Sequence, residues 1–299
     1  MNSMHSNQIP ALIICITLLS SASTVLISND TEEDDRLLVA VTLPWQREMV
    51  ERIGGEHVKV ATMVGAADDP HSGGGLTPSQ IVSVAKSAIY FCVGSGVEWE
   101  EINLPTLKNE IPSLQTVNLS ENIDLLSYCD HENGEEHHHG SVDPHVWTSI
   151  ENLRTMALTV KDKLIELDTD NSQTYEQGFE DYEMELDDLK GAAQEAFDEV
   201  NTREFYVWHS AWQYLAEEWD LTETSLKDEY SGLSIGKLAN FLSNIGVDTI
   251  FASPKDEIFE NAVLEGINVI CINPLAEDWL TELEKFITEL SNVLRCEHG

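Results

Sequence analysis

Three of the ten histidines in this 299-residue chain sit where a strand-like run gives way to a loop or helix. They are His71 in GAADDPHSGGGLTPSQ, His145 in SVDPHVWTS and His209 in FYVWHSAWQ. Loops that follow strands are where open α/β sheets bind ligands, so each position can carry chemistry. Two of the three share the tripeptide Asp-Pro-His. The proline fixes the backbone on the approach to the ring, and a nearby carboxylate can orient an imidazole from behind. The chemistry open to such a set is coordination of a metal ion through imidazole nitrogen. His5 and His298 lie near the two ends of the sequence, and His57 opens the run GEHVKV as a surface residue, so none of these is expected to act.

A second group, His131, His137, His138 and His139, falls in the stretch Cys129 to Gly140 beside Asp130, Glu132, Glu135 and Glu136. Two readings apply. One is a solvated acidic insertion with no part in a main site. The other is a low-affinity collector, because nitrogen and oxygen donors are offered together at irregular spacing.

These residues need elements to position them. LLVAVTLPW reads as a strand, QREMVERIGG as a helix closed by glycines, HVKVATMV as a strand, PSQIVSVAKSA as a helix and AIYFCVG as a buried strand. That rhythm implies a mostly parallel sheet covered by helices. A second series begins after Asn201 with REFYVWH and SAWQYLAEEW, the latter read as a helix opening at once after His209. It continues through SIGKLANFLSNIG, VDTIFAS and INVICINP to DWLTELEKFITELSNVL. The fold class expected is therefore α/β with two lobes, each a mostly parallel sheet flanked by helices. Between them, Tyr175, Phe179, Tyr182, Met184, Leu186, Leu189, Ala193 and Phe197 recur mostly at three- and four-residue separations. The spacing predicts one long helix over 171–200, roughly 40 Å at 1.5 Å per residue. The organisation predicted is an N-terminal lobe over 37–170, a stiff linking helix over 171–200 and a C-terminal lobe over 201–299.

Composition limits the partners. Sixteen Lys and Arg against 54 Asp and Glu give a formal charge of −38, which removes the basic face that nucleic-acid binding needs. From Ile9 to Ile27 nothing is charged. Residues 1–28 read as a secretory signal or an N-terminal membrane anchor, followed by an acidic linker over 29–36. The rest is expected to be one body outside the cytoplasm. Cys15 belongs to the leader, Cys92 and Cys271 lie in strand-like runs as small hydrophobes, and Cys129 and Cys296 stand in polar surroundings where an oxidising compartment permits a bridge. No HExxH or P-loop sequence is present, so the usual zinc-protease and nucleotide-binding cues are missing.

Taken together, DPHSGGGLTPSQ, DPHVWTS, HSAWQYLAEEWDL, GVDTIFASP and INVICINPLAEDW, with the histidine-rich insertion ahead of DPHVW, resemble the metal-binding proteins that serve ABC importers of zinc and manganese. The zinc-uptake type is the most similar, and the resemblance runs from about Leu37 to Leu294. It implies a metal site in the cleft between the lobes, with His71 and His145 from the first lobe and His209 from the second. A histidine at the third position makes the donors nitrogen-rich, which suits Zn²⁺ better than Mn²⁺. The implied partners are a membrane permease and its ATPase, for a monomeric binding protein that is not an enzyme. The alternative function is a secreted zinc hydrolase using the same three histidines, although no general base stands out beside them. Two departures from the family pattern occur. Asn273 stands where the fourth ligand is often a carboxylate, leaving water, the acidic stretch, Glu277 or Asp278 to supply that donor. Glycines follow His71 where the family usually has an aromatic residue and a glutamate.

Overall fold

The computed structural model describes residues 34–65, 74–127, 142–227, 235–256 and 266–296. The leader over 1–28, most of the acidic linker, His71 and the histidine-rich stretch 129–140 fall outside the described residues.

The first sheet is built from β1 (Leu37–Val41), α1 (Pro44–Gly54), β2 (Val58–Thr62), α2 (Pro78–Lys86), β3 (Ile89–Cys92), α3 (Glu98–Glu110) and β4 (Thr116–Asn118). Its strands run parallel in the order β2-β1-β3-β4. A buried parallel strand shows a continuous apolar run, and all of β3, IYFC, is buried. α2 coincides with the run PSQIVSVAK read as a helix and opens on a capping box: Thr77 Oγ1 accepts from Gln80 N at 3.3 Å, and Gln80 Oε1 accepts from Thr77 N at 2.7 Å. At the carboxyl edge, the side chain of Gln46 accepts from the amides of Thr42 and Leu43 and donates to the Phe91 carbonyl. Buried Glu100 accepts from Thr42 Oγ1 and from the amides of Val93 and Gly94. Gly94 has φ 79°, and a Cβ there would fall 1.7 Å from Asn118 Oδ1, so this turn requires glycine.

Two helices follow, α4 (Ile150–Leu167) and α5 (Ser172–Asp198). The second sheet then repeats the pattern with β5 (Glu204–Val207), α6 (Gln213–Glu218), β6 (Thr222–Ser225), α7 (Ile235–Asn244), β7 (Thr249–Ala252), β8 (Asn268–Cys271) and α8 (Trp279–Arg295). Its parallel order is β6-β5-β7-β8. The fold is thus α/β with two parallel sheets and one long helix, as expected, and each sheet has four strands.

α5 has 27 residues and buries Tyr175, Tyr182, Leu186, Leu189, Ala193 and Phe197 on one stripe. Met184, expected on that stripe, is 58% exposed. It lies two positions from both Tyr182 and Leu186, and two steps of about 100° carry a side chain to the far side of a helix. α5 packs on α1 and α4 at one end of its face and on α8 at the other. The contact with α1 is close enough that a Cβ at Gly178 would meet the Ile53 carbonyl oxygen at 2.4 Å.

One continuous apolar core takes residues from both sheets, including Val39, Phe91, Trp147, Phe205, Phe251 and Phe286. Trp45 stacks on Trp147 at 5.5 Å, and Trp212 stacks on Phe286 at 3.7 Å and on Trp279 at 6.0 Å. Polar ties cross the same junction. Trp147 Nε1 donates to the Pro274 carbonyl (2.8 Å), Trp279 Nε1 to the Trp147 carbonyl (3.1 Å), and Trp279 N to Glu48 Oε2 (2.6 Å). Cys92, Cys271 and Cys296 carry free thiols, and burial pushes the Cys92 thiol up to about 12. Among the described residues, no helix is long and apolar enough to cross a membrane.

Candidate metal centre

His145 is 2% exposed and enters a single 3-10 turn, Val146–Thr148, ahead of α4. The segment before it is laid over the carboxyl end of β3, where Ser95 Oγ donates to the Pro144 carbonyl at 2.6 Å. Asp143, fully buried, holds the ring: its Oδ1 accepts from His145 N at 2.8 Å and lies 2.7 Å from His145 Nδ1. With Nδ1 turned to Asp143, Nε2 is the ring nitrogen that would meet a metal. The Asp-Pro-His reading of the sequence therefore has its structural counterpart here. From the second sheet, Tyr214 donates through its hydroxyl to the Asp143 carbonyl at 2.8 Å, tying α6 to this turn.

His209 leaves the carboxyl end of β5. Trp208 N donates to the Phe251 carbonyl at 2.7 Å, so β5 remains joined to β7 up to the residue before it. β5 and β7 flank the point where strand order reverses, which is where open α/β sheets bind ligands. The helix expected to open at once after His209 begins later, at Gln213. The reason is a side chain from β6: Glu223 accepts from Ala211 N at 3.2 Å and from Trp212 N at 2.8 Å, holding these amides in a turn. Desolvation, and then the charge of Asp143, push the Glu223 carboxyl up to about 8.

The rings of His145 and His209 approach across the junction of the two sheets, with centroids 5.6 Å apart and planes at 78°. Two imidazoles on one tetrahedral zinc, with bonds near 2.0 Å, place their centroids about 5 Å apart. The pair is thus spaced for a shared ion.

His71 lies outside the described residues, and both flanks of its loop are described. Val64 N donates to the Thr42 carbonyl at 2.9 Å after β2, and Asn103 Nδ2 donates to the Gly74 carbonyl at 3.0 Å before α2. Among the described residues, no three His, Cys, Asp or Glu side chains are grouped to hold a metal. Of the auxiliary candidates, His131, His137, His138 and His139 are outside the described residues. Asn273 Oδ1 accepts from Leu275 N at 3.1 Å in a turn, and Asn273 N donates to Glu282 Oε1 at 2.8 Å. Asp278 and Glu277 are exposed just before α8. A cavity of 10 Å³ beside His209, room for roughly one water, is lined by Asp256, Ser253 and Pro274 among others. Asp256 escaped the sequence reading; its signal was its place just after β7, the strand beside β5.

The molecule is thus an α/β protein of two parallel sheets spined by a long helix, with two imidazoles meeting at their carboxyl edges. The chain belongs to the family described as ZnuA, zinc-uptake complex component A, periplasmic, whose model matches residues 39–290. It is 22% identical over 303 residues to the zinc-binding lipoprotein AdcA of Streptococcus pneumoniae strain R6, covering 93% of this chain and 60% of that protein. It is 25% identical over 260 residues to the high-affinity zinc uptake system protein ZnuA of Bacillus subtilis, covering 81% of this chain and 78% of the relative. Among solved structures, a zinc-bound ZnuA with residues 138–173 deleted is similar in fold, with a TM-score of 0.76 at 24% identity over 88% of this chain and all of that one. The chain therefore spans 60% of the length of the AdcA protein it matches.

Proposed function

We propose that this protein captures Zn²⁺ outside the cytoplasm and delivers it to the permease and ATPase of an ABC-type importer, without itself acting as an enzyme. His71, His145 and His209 are the proposed ligands. The observation that carries the reading is the His145–His209 pair, one imidazole from each sheet, spaced for a shared ion and with Asp143 behind one ring. Membership of the zinc-uptake family supports the same cargo. A nitrogen-rich donor set favours Zn²⁺ over Mn²⁺. Water or Asp256 completes the coordination, and the stretch 129–140 collects zinc weakly at the surface. Residues 1–28 serve as export signal or anchor for a body organised as lobes 37–170 and 201–299 on the helix 171–200.

The test is competitive titration of demetallated protein with Zn²⁺ and Mn²⁺, for the parent chain and for His71→Ala, His145→Ala and His209→Ala. One tight zinc is expected in the parent, with strong loss in each variant and no hydrolytic turnover by the loaded protein. Parent-like zinc affinity in any one variant would remove that residue from the site.

A further inference from the structure

We propose that Glu223 is a positioning residue for the metal site, clamping the turn that carries His209 so that its imidazole is held opposite His145 before the ion arrives. The proposal rests on the reading of His209 and His145 as ligands.

Residues 208–212 form no regular element between β5 and α6, and α6 is only six residues long. Such a turn has few backbone hydrogen bonds of its own to define it. Glu223 supplies what is missing, because its two oxygens accept from two successive amides, Ala211 and Trp212. The clamp is anchored in a sheet: β6 pairs with β5 in parallel register, with Phe205 opposite Glu223. The strand that presents His209 and the strand that grips the turn after it are therefore one rigid unit. A glutamate is disfavoured in a short strand, and here desolvation, and then the nearby Asp143, oppose its ionisation. An apolar residue would serve the sheet better. The arrangement makes sense as preorganisation, in which the ordering of a ligand-bearing turn is completed during folding and does not weaken binding later.

It also explains why two carboxylates, Asp143 fully buried and Glu223 half-buried, stand so near a site for a cation. Asp143 holds the His145 ring directly, while Glu223 holds the backbone beyond His209. One imidazole is fixed by its own hydrogen bond and the other by its main chain.

The experiment compares Glu223→Ala, Glu223→Thr and Glu223→Gln with the parent, using Zn²⁺ titration and the visible spectrum of the Co²⁺-loaded protein. Threonine suits a strand, so Glu223→Thr keeps β6 if the alanine variant fails to fold. Loss of both acceptors is expected to weaken zinc binding about 10- to 100-fold, the range for residues that orient ligands, and to alter the Co²⁺ bands. Glu223→Gln keeps one acceptor oxygen and is expected to recover most of the affinity and a parent-like spectrum. Parent-like affinity and spectrum in a folded Glu223→Thr would overturn the proposal. Equal loss in the Gln and Thr variants would overturn it too, since the acceptor that Gln retains would then have held nothing of the turn in place. His145→Ala and His209→Ala serve as controls: zinc binding unchanged in both would sink the site itself, whereas loss there with no effect at Glu223 would sink only the clamp.

Discussion

Replacing Asp143 with Asn separates what this residue does for the fold from what it does for the ion. The parent carboxylate accepts from both the amide and the Nδ1 of His145, at 2.8 and 2.7 Å, and its Oδ2 has no hydrogen bond among the described residues. The Asp143→Asn variant would keep one carbonyl oxygen in a side chain of nearly the same shape but lose the charge. Without that charge, no carboxylate stands behind the ring at Nδ1, and Nε2 is a weaker donor. Substitution of such a partner lowers metal affinity about 10- to 100-fold, or about 1.4–2.8 kcal/mol. Stability of the zinc-free protein should move the other way or hardly at all. A fully buried carboxylate with one oxygen unsatisfied is itself costly, so neutralising it is expected to cost the zinc-free fold less than about 1 kcal/mol. Chelator-competition titration measures the first quantity, and thermal melting of the zinc-free protein measures the second. Affinity within twofold of the parent would refute the account of Asp143 as the group that orients the ring for a metal. A large fall in zinc-free stability with affinity preserved would recast it as a structural residue of the turn.

Two further outcomes follow from the junction and from the first sheet. Glu100 is buried, and desolvation raises its carboxyl above the ordinary glutamate value, so the folded chain holds this proton more tightly than the unfolded chain. Its contribution is therefore most favourable below the unfolded value of about 4.5 and is lost as pH rises above it. Melting temperatures of Glu100→Gln and the parent should diverge in favour of the variant from pH 4 to pH 7, on top of any constant offset from the lost acceptor at Gly94. A parallel pair of pH profiles would contradict the raised value. Because Trp45, Trp147, Trp212, Trp279 and Phe286 join the two sheets in one core, zinc is expected to order loops without closing lobes. Small-angle scattering should give nearly the same radius of gyration with and without zinc, while amide exchange slows around DPHVW and VWHSAW. Marked compaction would refute the stiff junction.

The sequence by itself determined the local elements and the residue types of the site. Alternation and continuous apolar runs marked β1, β2, β3, β5, β7 and β8, because a strand buried on both faces leaves few polar positions. Helical spacing in PSQIVSVAKSA marked α2, a relation among residues three and four apart. The three- and four-residue recurrence from Tyr175 to Phe197 marked α5, and Asp-Pro-His marked a carboxylate that lies two residues from its imidazole and binds it. All of these are short-range relations. What needed the tertiary structure is long-range. The 5.6 Å approach of His145 to His209 joins residues 64 apart in sequence, and it depends on how two sheets share one core. Glu223 reads in sequence as one more surface acid in a chain with 54 of them, and only the pairing of β6 with β5 turns it toward the amides after His209. The delayed start of α6 has the same origin, because helix propensity is a weak local preference that a half-buried carboxylate accepting two amides overrides. Asp256 likewise lines the same cavity as His209 because β7 lies beside β5, so its place after a strand became informative only once the strand order was known.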